Sequence, residues 1–454
     1  MASMVVSSGE VSSGLTLSAG DVVLVQGGGE ADFTVLLSGA SIGVMSGGLA
    51  VDTTVSSGAT AGVFAGGVLR ATTVEHGASA SILGAAEGTV LDGGSMIAAS
   101  GAPTTGTIIS AGGSAAIIAA FATGTIVRSG GADEIFSGAY EVGAVVSNGG
   151  IQEVGVAGGL VENTKVRSGG VQLVLSGGVA SHTTVGASGS AGVGTGAVAA
   201  GAVLLSGAKQ IIVAGGVASA TVLSGGQEID GGVTRGALVL LGGVETVSSG
   251  GVASGAMVRL GGTETVASGG VAAATKLSGG KLVVSAGGAI SGGLMISAGS
   301  AVISGAAAAG QAVKFAGSAG VLELHNLAGF HAKISGLDAP KEKLDLATLK
   351  FSAGETVTWT QSGTSGTLTV HDGAKTATLT LVGTYAISAF QLASDGHKGT
   401  SVTVSGGVPA AAHFAGHVAA LAGGRGAAAG ATVHAGGTAA PVSESLAAGV
   451  ASGR

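Results

Sequence analysis

The chain has 454 residues, of which 91 are Gly, 4 are Pro and none is Cys; its formal net charge is −7 and 9% of its residues are charged. Ordinary domains hold about 7% Gly and about 25% charged residues. This composition excludes a disulfide framework or a thiolate metal site. It also excludes a collagen helix, because Gly does not recur at every third position. Nucleic-acid binding is excluded for want of a run of Lys and Arg, and simple disorder because 46% of the residues are apolar.

At the start of the chain, MASMVVSSGEVSSG (1–14) has neither the basic nor the continuous apolar region of a cleaved signal. Any export is therefore expected to take another route. No window of about 18 uninterrupted apolar residues offers a transmembrane segment.

From there the text repeats. Gly-Gly pairs begin at Gly93, Gly112, Gly130, Gly149 and Gly169, and again at Gly225, Gly242, Gly261 and Gly279. An interleaved series begins at Gly231, Gly250, Gly269 and Gly287. The unit is thus about 19 residues with two Gly turns. The wording repeats too. GGVAS stands at 177–181, 215–219 and 250–254. The other half-unit reads Gly-Gly-x-polar-x-apolar, with Asp133, Gln152, Gln172, Glu245 and Glu264 at the polar place and Ile135, Val154, Val174, Val247 and Val266 at the apolar one. Short alternating stretches rich in β-branched residues predict strands, and Gly supplies the positive-φ turns between them. A strand this short holds only by stacking on its own copy. The expected fold is all-β: a parallel β-solenoid over 1–315 of roughly 16 coils, rising about 4.8 Å per coil.

VRSGGVQLVLSGGVASHTTV (166–185) and SNGGIQEVGVAGGLVENTKV (147–166) carry a family resemblance. They resemble the strand-loop-strand repeats of AIDA-type autotransporter adhesin passengers. The resemblance implies export, a β-helical passenger and a role in attachment at the cell surface. It also implies sugar acceptors among Ser168, Ser176, Ser249 and Ser268. The plainer expectation is that these serines satisfy turn backbone groups. No set of ten-residue alternating strands that could build an outer-membrane barrel follows residue 405.

Composition shifts near residue 316, and 316–405 is expected to be a β-rich capping module. His371-Asp372-Gly373 reads as a hairpin turn between two alternating runs. The words ISGL (334–337), EKLDL (342–346), GTLTVHDG (366–373) and SDGHKGT (394–400) are similar to the C-terminal modules of calcium-dependent, type I-secreted bacterial proteins. That likeness implies type I export. Asp338, Glu342 and Asp345 are close enough in sequence to be weak candidates for a calcium site, although Lys341 and Lys343 flank them as they would in an exposed loop. Residues 406–454 read as an Ala/Gly-rich tail, in which His413 and His417 have helical metal-ligand spacing without a third ligand.

β-Helices also support polysaccharide lyases and glycosidases. Glu134 with Glu153, and Glu245 with Glu264, are each 19 residues apart. They are expected to stack on an outer face, where a retaining glycosidase would need two carboxyls about 5 Å apart. No aromatic platform or long loop accompanies them, and an outward polar ladder is expected. Thr183, Thr184, Thr221 and Thr275 recur without the regularity of an ice-binding face. The reading is a secreted or cell-surface, non-enzymatic adhesin-type rod with no catalytic residues. Its partners would be host or environmental surfaces, glycans or other cells, together with an export machinery. A polysaccharide-acting enzyme and a calcium-dependent matrix protein are the alternatives.

Overall fold

The computed structural model describes residues 3–155 and 158–405. Within it, a right-sized repeat becomes a solenoid of about 18 stacked coils. The sequence suggested 16. The ladders begin at Ser3 and run on to Leu324, beyond the span over which Gly-Gly pairs are regular.

One coil shows how the fold is made. Val244–Val247 is a four-residue strand, Val252–Ser254 a three-residue strand and Met257–Arg259 the next short strand. Each lies parallel to its copy in the following coil: Val247 opposite Val266, Ala253 opposite Ala272, Val258 opposite Leu277. Side chains alternate across a strand, so Val247, Ala253 and Val258 all point inward and are fully buried. Continued from coil to coil, such positions form aliphatic columns that share one core. No single coil has enough apolar surface to offset the ordering of its backbone, so each depends on its neighbours.

The coil has three corners where the repeat suggested two. Two are Gly turns. In Gly250-Gly251, Gly250 has φ +80° and open space where a Cβ would go. Its neighbour Gly251 is needed for a different reason: a Cβ there would fall 2.1 Å from the carbonyl oxygen of Asp230 in the preceding coil. The pair thus combines one left-handed residue with one close backbone approach. The third corner is a single left-handed residue after the three-residue strand. It is Gly in many coils (Gly255, φ 71°), but His182 and Ala220 both occupy it at φ 53°. A lone Gly at half the copies was its only signal, and that was masked by the abundance of Gly elsewhere.

Near residue 276 the corner between the short and four-residue strands straightens, giving continuous strands Lys276–Val284, Leu294–Ile303 and Ala312–Leu324. Lys333–Ser335 and Lys343–Lys350 add two more parallel strands, on 312–314 and on 321–324. The topology then changes. Thr356–Ser362, Ser365–Asp372 and Lys375–Val382 form an antiparallel meander whose last strand pairs parallel with Lys333–Ser335. Its second turn is at Gly373, with φ +56°, where the hairpin was expected. Gly399–Val404 pairs antiparallel with Lys343–Lys350 on one side and Phe390–Ser394 on the other. The open edge of Lys343–Lys350 is thereby occupied. Among the described residues no helix is long and apolar enough to cross a membrane.

Candidate functional site

Alternation decides where the polar residues of the repeat go. In Gly-Gly-x-polar-x-apolar the polar and apolar places are two apart, so they share a face. If Val247 is inside, Glu245 is inside as well. The structure places Asp133, Gln152, Gln172, Glu245 and Glu264 in the core, each no more than 1% exposed. The expected outward pair Glu245 and Glu264 is therefore corrected. The two are register partners, as their spacing implied, but they face the interior, where no polymeric substrate reaches. Glu134 and Glu153 are the outward pair, also in register.

The interior column reads Asp133, Gln152, Gln172, Ala191, Gln210, Glu228, Glu245, Glu264, Leu282, by successive register partners. Its first part is closed by amide hydrogen bonds. Gln152 Nε2 donates to Glu141 at 2.6 Å and to Asp133 at 3.3 Å. Gln172 Nε2 donates to Gln152 Oε1 at 2.9 Å. Thr164 donates to Gln152 and Thr183 to Gln172. Burial raises the Asp133 carboxyl well above the usual carboxylate range, and the nearby Glu141 adds to it. Burial also raises Glu141.

In the second part no amide donates, although Gln210 stands next to Glu228 in the column. Thr221 donates to Glu228 at 2.9 Å, Thr234 to Glu245 at 3.2 Å and to Asp230 at 3.4 Å, and Thr275 to Glu264 at 3.3 Å. Glu228, Asp230 and Glu245 are all buried, and each has an oxygen within 4.8 Å of the others. Burial, and then the neighbouring carboxylates, push Asp230 up to about 10 and Glu228 up to about 8. Burial pushes Glu245 up to about 7. The sequence reading missed Glu228 and Asp230. Asp230-Gly231-Gly232 looks like one more Gly turn, and Asp230 sits in a column that is otherwise aliphatic, between Ile212 and Val247.

Thr183, Thr221 and Thr275 are buried too, which removes them from any outer Thr face. Asp338, Glu342 and Asp345 are not brought to one point. Glu342 Oε2 instead accepts the backbone N–H groups of Asp338 (2.9 Å) and Ala339 (3.0 Å), holding its own loop. Asp345 pairs with Lys343 at 3.1 Å. Among the described residues the only three-acid group at ligating distances is Glu228, Asp230 and Glu245. His413 and His417 lie outside the described residues.

On the exterior, Ser168, Ser176, Ser249 and Ser268 are exposed at the Gly turns. Turn closure is by backbone groups instead: Gly251 N–H donates to the Ser248 carbonyl and Gly250 N–H to the Gly269 carbonyl of the next coil. The expectation that these hydroxyls satisfy the turn is corrected.

No family model and no curated protein matches the chain. Among solved structures, the glycosylated fragment of TibA, a product of TibC catalysis, is 30% identical; the match covers 64% of this chain and 94% of that one, with a TM-score of 0.42. The chain is similar in sequence to this TibA fragment over most of the fragment's length. Two further solved structures are matched at 9% identity. One is the tailspike gp49 of Acinetobacter baumannii bacteriophage Fri1, a capsular polysaccharide depolymerase, over 85% of this chain and 76% of that one (TM-score 0.17). The other is PfbA, a surface adhesin of Streptococcus pneumoniae, over 81% and 90% (TM-score 0.14). In this chain the buried acids are inaccessible to a macromolecule, and what can meet a partner is the outer face.

Proposed function

We propose that the chain is an adhesin-like surface rod that attaches through repeated columns on its outer face. The observation that carries this is the outside of the three-residue strands. Val179, Val198, Val217, Val233, Val252 and Val271 follow one another in register as an outward, half-buried apolar column. Two large apolar residues extend the exposed surface at successive turns: Leu241 is 76% exposed and Leu260 75%. Each coil offers a weak contact, and many equal contacts held on one stiff body bind through avidity.

The reading extends to an extracellular or cell-surface location, to surfaces, glycans or other cells as partners, and to type I export through the C-terminal words noted above. TibA's fragment is described as hyper-glycosylated. The exposed hydroxyls of Ser168, Ser176, Ser249 and Ser268 are the corresponding acceptors we assign to this chain.

The test is retention of protein-coated beads on cultured cells and on bacteria. Changing Val198, Val217 and Val252 together to Lys should leave the circular dichroism spectrum unchanged and reduce retention at least tenfold. Undiminished retention would remove this face from the account. Protease treatment of intact producing cells tests the location, since a surface rod is digested and a cytosolic one is not.

A further inference from the structure

We propose that Glu228, Asp230 and Glu245, with the side-chain oxygen of Gln210, form a site inside the solenoid for one hard divalent cation of the calcium type. This goes beyond attachment and does not depend on it. Three carboxyls from two consecutive coils, 227–230 and 244–247, meet within 4.8 Å. A cation with metal–oxygen bonds of about 2.3–2.6 Å spans such a group.

A second observation points the same way. Gln210 is 1% exposed and stands one coil before Glu228 in the same inward column. Neither its amide nitrogen nor its amide oxygen has a hydrogen-bond partner. One oxygen each of Glu228, Asp230 and Glu245 is likewise buried without a partner. Buried polar atoms are normally satisfied; Gln152 donates to one oxygen each of Asp133 and Glu141, whereas the Gln210 amide donates to none of the acids beside it. Among the described residues no Lys, Arg or His is buried to balance the charge. Oxygen-only donors select calcium-like ions over zinc or copper, which favour nitrogen and sulfur. With three carboxyls and a +2 ion, the cluster keeps one proton. The bound ion would tie coils 209–212, 227–230 and 244–247 together at the middle of the rod.

The experiment begins with untagged protein purified without chelator and analysed for metals by mass spectrometry. Melting is then followed after refolding in calcium, in magnesium or in EDTA. We expect one divalent cation per chain and a melting temperature at least 5 °C higher after refolding in calcium than in EDTA. Asp230→Val restores the aliphatic column between Ile212 and Val247; it should fold, carry no ion and melt alike in calcium and EDTA. Should that variant fail to fold, Glu228→Gln provides the same comparison. Wild-type protein without stoichiometric metal, melting identically under all three conditions, would overturn the site and leave the cluster neutralised by protons alone. A variant that keeps its ion would also overturn it, because the ion would then sit elsewhere.

Discussion

The left-handed corner after the three-residue strand shows how a single backbone angle limits residue choice. Ala220 is held at φ 53° and Gly255 at φ 71° in equivalent corners of different coils. A side chain in this region costs about 1–2 kcal/mol. Ala220→Gly should therefore raise stability by about 0.5–1 kcal/mol, and Gly255→Ala should lower it by about 1 kcal/mol, both read by thermal or denaturant melts. At the Gly-Gly turn the two substitutions should differ in kind. Gly250→Ala meets strain alone. Gly251→Ala must also displace the Asp230 carbonyl and should be much the more damaging, to the point of lost expression. Residue-scale chemistry also sets a pH dependence. Asp133 and Glu141 keep their protons in the folded chain to higher pH than in the unfolded one, because burial penalises their charge. Their stabilisation is complete below the unfolded carboxyl range, about pH 4, and is lost as pH rises toward the folded values. The melting temperature should be higher at pH 5 than at pH 8. Asp133→Asn with Glu141→Gln should make that slope shallower and raise the melting temperature at pH 8.

At the scale of the element, a coil is a set of three short strands whose inward residues belong to columns. Leu223 sits in such a column between Leu204 and Val239 and is fully buried. Leu223→Ala should destabilise by about 2–5 kcal/mol, since the stacked coils above and below cannot close the space. Melts monitored by circular dichroism would show it. This scale also explains what could be read early. Strand type, parallel stacking and the 19-residue step were legible because valine at every second position and Gly at every turn leave few alternatives. The facing of the polar place was legible too, by parity with Val247 and Val266, yet polar residues are ordinarily sought outside, and Glu245 and Glu264 were placed on the wrong face. Glu228 and Asp230 gave no such sign, because their coil departs from the repeat's wording.

For the whole molecule, the decisive feature is how parallel stacking ends. Gly399–Val404 lies antiparallel on Lys343–Lys350, the strand stacked parallel on 321–324. Without it, the edge of Lys343–Lys350 would present unpaired backbone groups, a template for another chain. A chain ending before residue 390 should self-associate or aggregate, as light scattering after size exclusion would reveal, while the longer chain stays discrete. By itself the sequence determined the solenoid, its step and its Gly corners, because those follow from local backbone geometry and from periodicity. Only the tertiary structure decided that three of the acids converge and that the turn serines face solvent. Those facts depend on which coil stacks upon which and on the sum of the corners, quantities to which residues far apart in the chain contribute together.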